Sequence, residues 1–89
     1  MPERRVTIIN KLGLHARAAA KLVATASRFP ASIQVERDNR AVNAKSIMGI
    51  MMLAAGKGSD LVLHADGEGA EEALTALEEL IADRFGEDE

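Results

Sequence analysis

The sequence contains no cysteine, tryptophan or tyrosine, and each absence removes a class of function. Without cysteine there are no disulfides, no catalytic thiolate and no cysteine-ligated metal site. The two aromatic residues are Phe29 and Phe85, which argues against nucleic-acid binding by base stacking, because such binding needs exposed rings. The longest apolar run, residues 47–55, is far shorter than the ~20 residues that span a bilayer, so no membrane insertion is expected.

The chain has 89 residues, which is enough for one domain over residues 1–89. A domain of this size buries only ~60% of the surface of its unfolded chain, so any site is expected on the surface. The N-terminus runs into a strand pattern without a signal-peptide core, which predicts a soluble cytoplasmic protein. A nucleotide-binding glycine loop, a metal-ligand cluster and an acid–base pair are all missing, so neither a metal nor a cofactor is expected.

The formal net charge of −3 conceals a strong division along the chain. Residues 1–45 contain nine lysines and arginines against three acids, whereas residues 46–89 contain two against eleven. This division predicts that the molecule is electrically polarised in space. Such polarisation would orient the molecule towards a charged partner. Residues 87–89, Glu-Asp-Glu, are interpreted as a frayed acidic tail.

The hydrophobic pattern predicts seven elements in the order βαββαβα. The predicted strands cover residues 5–10, 32–36, 40–43 and 60–65, and the predicted helices cover residues 16–28, 47–55 and 70–85. Asp38 and Asn39 suit a tight turn between the second and third strands. Half-buried strands with amphipathic helices predict an α+β fold, in which three helices cover one face of a four-stranded antiparallel sheet.

The two histidines lie in different surroundings. His64 alternates with apolar residues inside the fourth strand, so it is expected on the solvent face of the sheet in a structural role. His15 follows the turn at Gly13 and precedes the first helix, where backbone N–H groups lack partners and form an anion site. Arg17 adds a fork of donors that matches phosphate geometry. A neutral imidazole at this position is suited to accept a phosphoryl group, although a simple role in helix capping is also open.

A second group of residues begins at Ser46, which is placed to be the N-cap of the helix over residues 47–55. A helix N-terminus also tolerates phosphate, so Ser46 is in addition a candidate modification site. The following apolar run is too long to be buried completely. Exposed methionines near basic residues suit a surface that docks several partners, because methionine repacks easily.

Two segments together form a specific sequence signature of a protein family. They are Asn-Lys-Leu-Gly-Leu-His-Ala-Arg at residues 10–17 and Lys-Ser-Ile-Met-Gly at residues 45–49. With the βαββαβα order, they resemble the HPr family of histidine phosphocarriers in the bacterial phosphoenolpyruvate-dependent phosphotransferase system. The resemblance covers essentially the whole chain. It implies an open-faced β-sandwich that acts as a stoichiometric carrier and not as an enzyme.

The resemblance also implies roles for individual residues. His15 would take a phosphoryl group from Enzyme I and pass it to an EIIA domain, and Arg17 and the backbone of Ala16, Arg17 and Ala18 would bind the phosphate. Ser46 would match the position that HPr kinase/phosphorylase modifies. Docking of partners to a monomer would use Ala20, Lys21, Lys45, Ile47, Met48 and Met51, with Lys11, Arg17, Lys21, Arg28 and Lys45 as a basic frame around the histidine.

One departure from the family pattern is Ala18, because the family usually has proline after the arginine. Alanine keeps an N–H that proline would remove, so the anion site would gain a donor and lose rigidity. Two alternatives stay open at this point. One is a nitrogen-branch regulatory phosphocarrier, and the other is an interaction module that phosphorylation switches without a transport role.

Overall fold

A computed structural model of the chain describes residues 2–88. Its elements are β1 (Glu3–Thr7), α1 (Ala16–Ala26), β2 (Ser32–Arg37), β3 (Arg40–Asn43), α2 (Ile47–Met52), β4 (Asp60–Asp66) and α3 (Ala70–Ala82), followed by a 3-10 turn over Arg84–Gly86. The predicted order of elements is therefore confirmed. Within residues 2–88, no helix is both long and apolar enough to cross a bilayer.

The four strands form one antiparallel sheet in the order β1-β4-β2-β3. Side chains of successive residues point to opposite faces of a sheet. In β4, Leu61, Leu63 and Ala65 are buried on one face, and His64 is half-buried on the other. The three helices pack over the first face, which confirms the predicted α+β fold.

The hydrophobic core fills the space between the sheet and the helices. Its largest completely buried apolar side chains are Phe85, Ile8, Leu22, Ile33, Ile50, Leu61, Leu63, Leu74, Leu77 and Ile81. On the open face of the sheet, His64 Nε2 lies 2.8 Å from Glu36 Oε1. His64 thus lies on the solvent side of the sheet, as the alternation of apolar and polar residues in β4 predicts. Its partner, Glu36, belongs to the neighbouring strand β2.

Several element boundaries differ from the predictions. The first strand ends at Thr7 and not at residue 10, because Ile8 bonds instead to the loop before β4, with its N–H on Ser59 O at 2.9 Å. The first two helices end at Ala26 and Met52, two and three residues earlier than predicted. Early termination of α2 fits the positive φ of Ala54, 51°, which is incompatible with a right-handed helix.

The C-terminal segment departs furthest from the predictions. The third helix ends at Ala82 and not at residue 85, and the chain then turns back towards the start of α1. Glu87 was expected to be frayed, but its side chain is only 17% exposed and contacts His15. The frayed-tail interpretation is therefore wrong for Glu87. Glu89, the last residue of that predicted tail, lies outside the described residues.

Candidate functional site

The loop between β1 and α1 is fixed by its backbone and by one buried side chain. Gly13 adopts a φ of 65°, and its N–H donates to Asn10 O at 3.2 Å. Leu14 N–H donates to Ala55 O at 2.8 Å, which ties the loop to the segment after α2. Asn10 is completely buried, and its Nδ2 donates to Gly13 O at 2.9 Å. These bonds set the direction in which the next residue, His15, enters the helix.

His15 is the N-cap residue of α1, with an extended backbone (φ −72°, ψ 175°). Its carbonyl accepts the first helical bond, from Ala19 N–H at 2.8 Å. The imidazole makes no capping hydrogen bond to the helix. Simple capping therefore does not account for the ring, which instead lies in a surface cleft.

The first N–H groups of α1 lie beside this ring. Within residues 2–88, the N–H groups of Ala16, Arg17 and Ala18 donate no hydrogen bond. Ala16 and Arg17 are exposed, so their N–H groups and the positive end of the helix dipole are available to an anion. Ala18 is completely buried, so the extra donor expected from its N–H is not open at the surface in this conformation.

The ring of His15 lines an open cleft of about 780 Å³. The lining residues are Lys11, Leu12, His15, Ala16, Arg17, Glu87 and Asp88. A cleft that combines a histidine, an arginine and free backbone donors is suited to a phosphoryl group. Among the residues that the structure describes, no group of three or more His, Cys, Asp or Glu side chains is arranged to hold a metal ion.

Glu87 is the site residue that the sequence reasoning missed most clearly. Its Oε2 is hydrogen-bonded to His15 Nε2, and its Oε1 accepts from Asn10 Nδ2 at 2.9 Å. The bonds from Asn10 and His15 hold the pKa of the Glu87 carboxyl below its ordinary value, so the group is a carboxylate at neutral pH. From the sequence, the helix N-terminus and Arg17 were expected beside the His15 ring. The negatively charged carboxylate of Glu87 was not expected there.

The predicted docking surface combines an exposed part of α1 with the apolar side of α2, against which α1 packs. Ala20 is exposed on α1, and the α2 side chains Ile47, Met48 and Met51 are 42%, 73% and 46% exposed. Among the described residues, three further large apolar side chains are exposed and were not predicted, namely Ile9 at 38%, Leu12 at 66% and Met52 at 63%. The run of apolar residues that includes Met52 was the available signal for it.

The predicted basic frame around His15 is only partly correct. Lys11 and Arg17 line the cleft. Arg28 lies beyond the other end of α1, where its guanidinium stacks 5.6 Å from the centre of the Phe29 ring. Lys45 Nζ donates to Phe29 O at 2.7 Å, again at that far end. Eleven helical residues separate the two ends by about 16 Å, so Arg28 and Lys45 do not surround the histidine.

Lys21 has a role in the fold that the sequence did not indicate. Its Nζ donates to Phe85 O at 2.6 Å, in the turn that follows α3. The ammonium group therefore anchors the C-terminal segment to α1. The assignment of Lys21 to partner docking stays a prediction. In this structure its ammonium group already donates a hydrogen bond within the protein.

Ser46 is the N-cap of α2, as predicted. Its backbone is extended, and its Oγ accepts a hydrogen bond from Gly49 N–H at 3.2 Å. The side chain is half-buried, and the neighbouring Lys45 N–H donates to Asn43 Oδ1 at 2.8 Å. The capping role is thus confirmed, and modification of Ser46 stays a prediction.

Comparison with known proteins identifies the family of this chain. Residues 2–83 match the family model described as the PTS HPr component phosphorylation site. The chain belongs to the HPr family. It is 59% identical over 90 residues to the phosphocarrier protein HPr of Pseudomonas aeruginosa, and 57% identical over 89 residues to that of Cupriavidus necator, with complete coverage of both chains in each pair. A crystal structure of HPr-C-His from Thermoanaerobacter tengcongensis matches the whole of both chains with a TM-score of 0.96 and 53% identity.

Membership of the HPr family defines the general activity of this chain. It is a phosphocarrier of the phosphotransferase system, which accepts a phosphoryl group and hands it on. The open cleft is suited to that task, because a carrier must present the same group to successive proteins. An enclosed pocket would hide the group from the second partner.

Proposed function

We propose that His15 is the phosphoryl acceptor of this HPr protein, and that Arg17 and the N–H groups of Ala16, Arg17 and Ala18 bind the phosphoryl oxygens. The observation that carries the proposal is the position of the imidazole in an open cleft at the N-terminus of α1, beside donors that have no partner among residues 2–88. Such donors stabilise negative charge without reorganising when it arrives. For Ala18, a small movement of the cleft must first uncover the N–H.

Two partner proteins follow from the role of a carrier. Phosphorylated Enzyme I supplies the group, and an EIIA domain receives it, so that the HPr protein is regenerated and acts stoichiometrically. Both partners use the exposed surface beside the cleft, with Ile47, Met48 and Met51 at its centre, and they bind a monomer of this chain. The apolar patch supports successive docking, because exposed methionine adapts to different surfaces.

The test is labelling with phosphoenolpyruvate and Enzyme I. The wild type is expected to gain one acid-labile phosphoryl group, and His15→Ala is expected to gain none. His64→Ala is the matched control, because it removes the other histidine, on the open face of the sheet. Absence of label on the wild type, or equal labelling of His15→Ala, would contradict the proposal. Transfer from the labelled protein to an EIIA domain distinguishes a carrier from an interaction module that phosphorylation merely switches.

Regulatory phosphorylation at Ser46 is a separate proposal with its own test. Incubation with ATP and an HPr kinase/phosphorylase is expected to give an acid-stable phosphate that Ser46→Ala lacks. The N-terminal position on α2 supports the proposal, because phosphate is tolerated there. An unlabelled wild type would leave Ser46 with its capping role alone.

A further inference from the structure

The segment after α3 is held in a conformation that needs support. Arg84, Phe85 and Gly86 have φ values of 56°, 56° and 78°. Two of the three are not glycine, and such residues adopt this left-handed backbone only when surrounding contacts compensate for the strain. The compensating contacts are the completely buried ring of Phe85 and the bond from Lys21 Nζ to Phe85 O. The chain is thereby turned back so that Glu87 reaches the cleft.

Glu87 is held there through both oxygens of its carboxylate. Oε2 is bonded to His15 Nε2, and Oε1 accepts from Asn10 Nδ2 at 2.9 Å. The second proton of that amide goes to Gly13 O at 2.9 Å. Because both of its partners are acceptors, the orientation of the Asn10 amide is fixed, with nitrogen towards Glu87.

The bonding partners decide which ring nitrogen of His15 carries the proton. An ionised carboxylate can only accept hydrogen bonds. The contact with Glu87 Oε2 therefore requires a proton on Nε2. In the neutral imidazole the other nitrogen, Nδ1, then carries the free lone pair. Within residues 2–88, Nδ1 has no hydrogen-bond partner, so that lone pair is not engaged by the protein.

We propose that Glu87 is a positioning residue for phosphoryl transfer, which holds His15 in the tautomer with its proton on Nε2 and so presents Nδ1 to the donor. This inference rests on the proposed role of His15 as acceptor. During transfer the Nδ1 lone pair forms the bond to phosphorus, and the bond from phosphorus to the donor group breaks, with its electrons leaving on the donor. The proton stays on Nε2, so the ring gains a positive charge, which the neighbouring carboxylate stabilises.

Other charged groups around the ring do not provide this function. Lys11 and Arg17 line the same cleft and carry positive charge, and Lys21 is directed to Phe85 O. Asp88 also lines the cleft, but it makes no hydrogen bond to His15. Asp88→Asn is therefore the matched control, because it removes the same charge from the same cleft without changing a bond to the imidazole.

Substitution of Glu87 by glutamine is expected to reverse the tautomer. The amide oxygen must face Asn10 Nδ2, because an NH2 group there would meet another donor. The glutamine NH2 then points to His15 Nε2, which has to become an acceptor, and the proton moves to Nδ1. Glu87→Ala removes the contact, so that neither tautomer is imposed.

The first measurement is the ring ¹⁵N spectrum of His15, recorded at rising pH until the spectrum no longer changes and the neutral imidazole is observed. The wild type and Asp88→Asn are expected to show the proton on Nε2, Glu87→Gln the proton on Nδ1, and Glu87→Ala a mixture. The same tautomer in the wild type and in Glu87→Gln would overturn the proposal. Far-UV circular dichroism verifies that each variant is folded.

The second measurement is the single-turnover rate of phosphoryl acceptance from phosphorylated Enzyme I. We expect Glu87→Gln to be slower than the wild type by about 10-fold or more, Glu87→Ala to be intermediate, and Asp88→Asn to be unchanged. Equal rates for the wild type and Glu87→Gln, or attachment of phosphorus to Nε2 in the wild type, would refute the role of Glu87. Failure of the proposed function has a different signature, namely a wild type that accepts no phosphoryl group at His15.

Discussion

Gly13 is the position at which a single methyl group is expected to disturb both the fold and the site. Its φ of 65° is unfavourable for any residue with a Cβ. A Cβ at this position would also lie 2.6 Å from Ala55 O and 2.7 Å from the Cα of Gly56. Ordinary van der Waals contacts lie at about 3.5–4.0 Å, and both neighbours here are backbone atoms that no side-chain rotation can move away.

The chain supplies a control that separates the two costs. Gly58 has a φ of 90°, and a Cβ added there meets nothing within 4 Å. Gly58→Ala therefore carries the conformational cost alone, about 1–2 kcal/mol. Gly13→Ala adds backbone displacement, and it weakens the bond from Leu14 N–H to Ala55 O, at present 2.8 Å. These effects together add about 2 kcal/mol, so the total loss is about 3–4 kcal/mol.

The assay is urea or thermal unfolding followed by far-UV circular dichroism, because the chain has no tryptophan or tyrosine for fluorescence. For a domain of this size, the additional loss in Gly13→Ala corresponds to a midpoint about 8–16 °C below that of Gly58→Ala. Gly13→Ala is also expected to slow phosphoryl acceptance at His15, because the displaced loop carries the imidazole. Equal destabilisation of the two variants would refute this reasoning. It would mean that the close contact between the added Cβ and Ala55 O does not lower the free energy of unfolding.

Three further predictions follow from single contacts. Ser46→Ala removes the bond to Gly49 N–H and should lower the free energy of unfolding by about 1 kcal/mol in urea titrations, whereas Ser46→Asp should keep most of it. Ala18→Pro removes one of the three proposed backbone donors, but that N–H is buried and makes no hydrogen bond within residues 2–88, so labelling with Enzyme I should stay largely intact through the N–H groups of Ala16 and Arg17. The lowered pKa of Glu87 gives stability that is present above about pH 4.5 and lost as the pH falls through the lower folded value. Unfolding midpoints between pH 7 and about pH 3 should therefore show a smaller acid loss in Glu87→Gln than in the wild type, and equal losses would contradict that linkage.

Local signals in the sequence were sufficient for the elements that short-range chemistry determines. The third strand was predicted with its observed bounds, Arg40–Asn43, because Asp38 and Asn39 favour a tight turn. Both residues adopt positive φ in the structure, at 51° and 67°. Ser46 was likewise identified as an N-cap from its position before an apolar helix.

The end of α3 shows where a correct periodicity leads to a wrong boundary. Leu77, Ile81 and Phe85 are spaced by four residues, and all three are buried. The pattern therefore predicted a helix through residue 85. The left-handed backbone at Arg84 and Phe85 interrupts the helix, but it still delivers the Phe85 ring to the core. The burial of Phe85 therefore does not distinguish a continued helix from the left-handed turn that the structure has.

The contact between His15 and Glu87 joins residues 72 positions apart, and no local pattern encodes it. An acidic C-terminal segment is ordinarily solvated, which is why the sequence favoured a frayed tail. The division of charge along the chain likewise does not indicate which charged residues lie together in space. Arg4 in β1 pairs with Glu71 in α3 at 3.1 Å, and Glu87 enters the basic cleft, so opposite charges from the two halves meet in space.

This mixing of charge is consistent with the work of a carrier. In the proposed role, Lys11 and Arg17 attract the phosphoryl oxygens, whereas the carboxylate of Glu87, which is bonded to the imidazole in the same cleft, repels them. A purely basic cleft would stabilise the phosphorylated state strongly and raise the barrier to the next transfer, since only interactions that favour the transition state over the bound state accelerate a step. The Glu87 carboxylate beside the proposed acceptor limits that stabilisation. With His15 as the proposed acceptor, this balance allows the group to be accepted and still be released to the next protein.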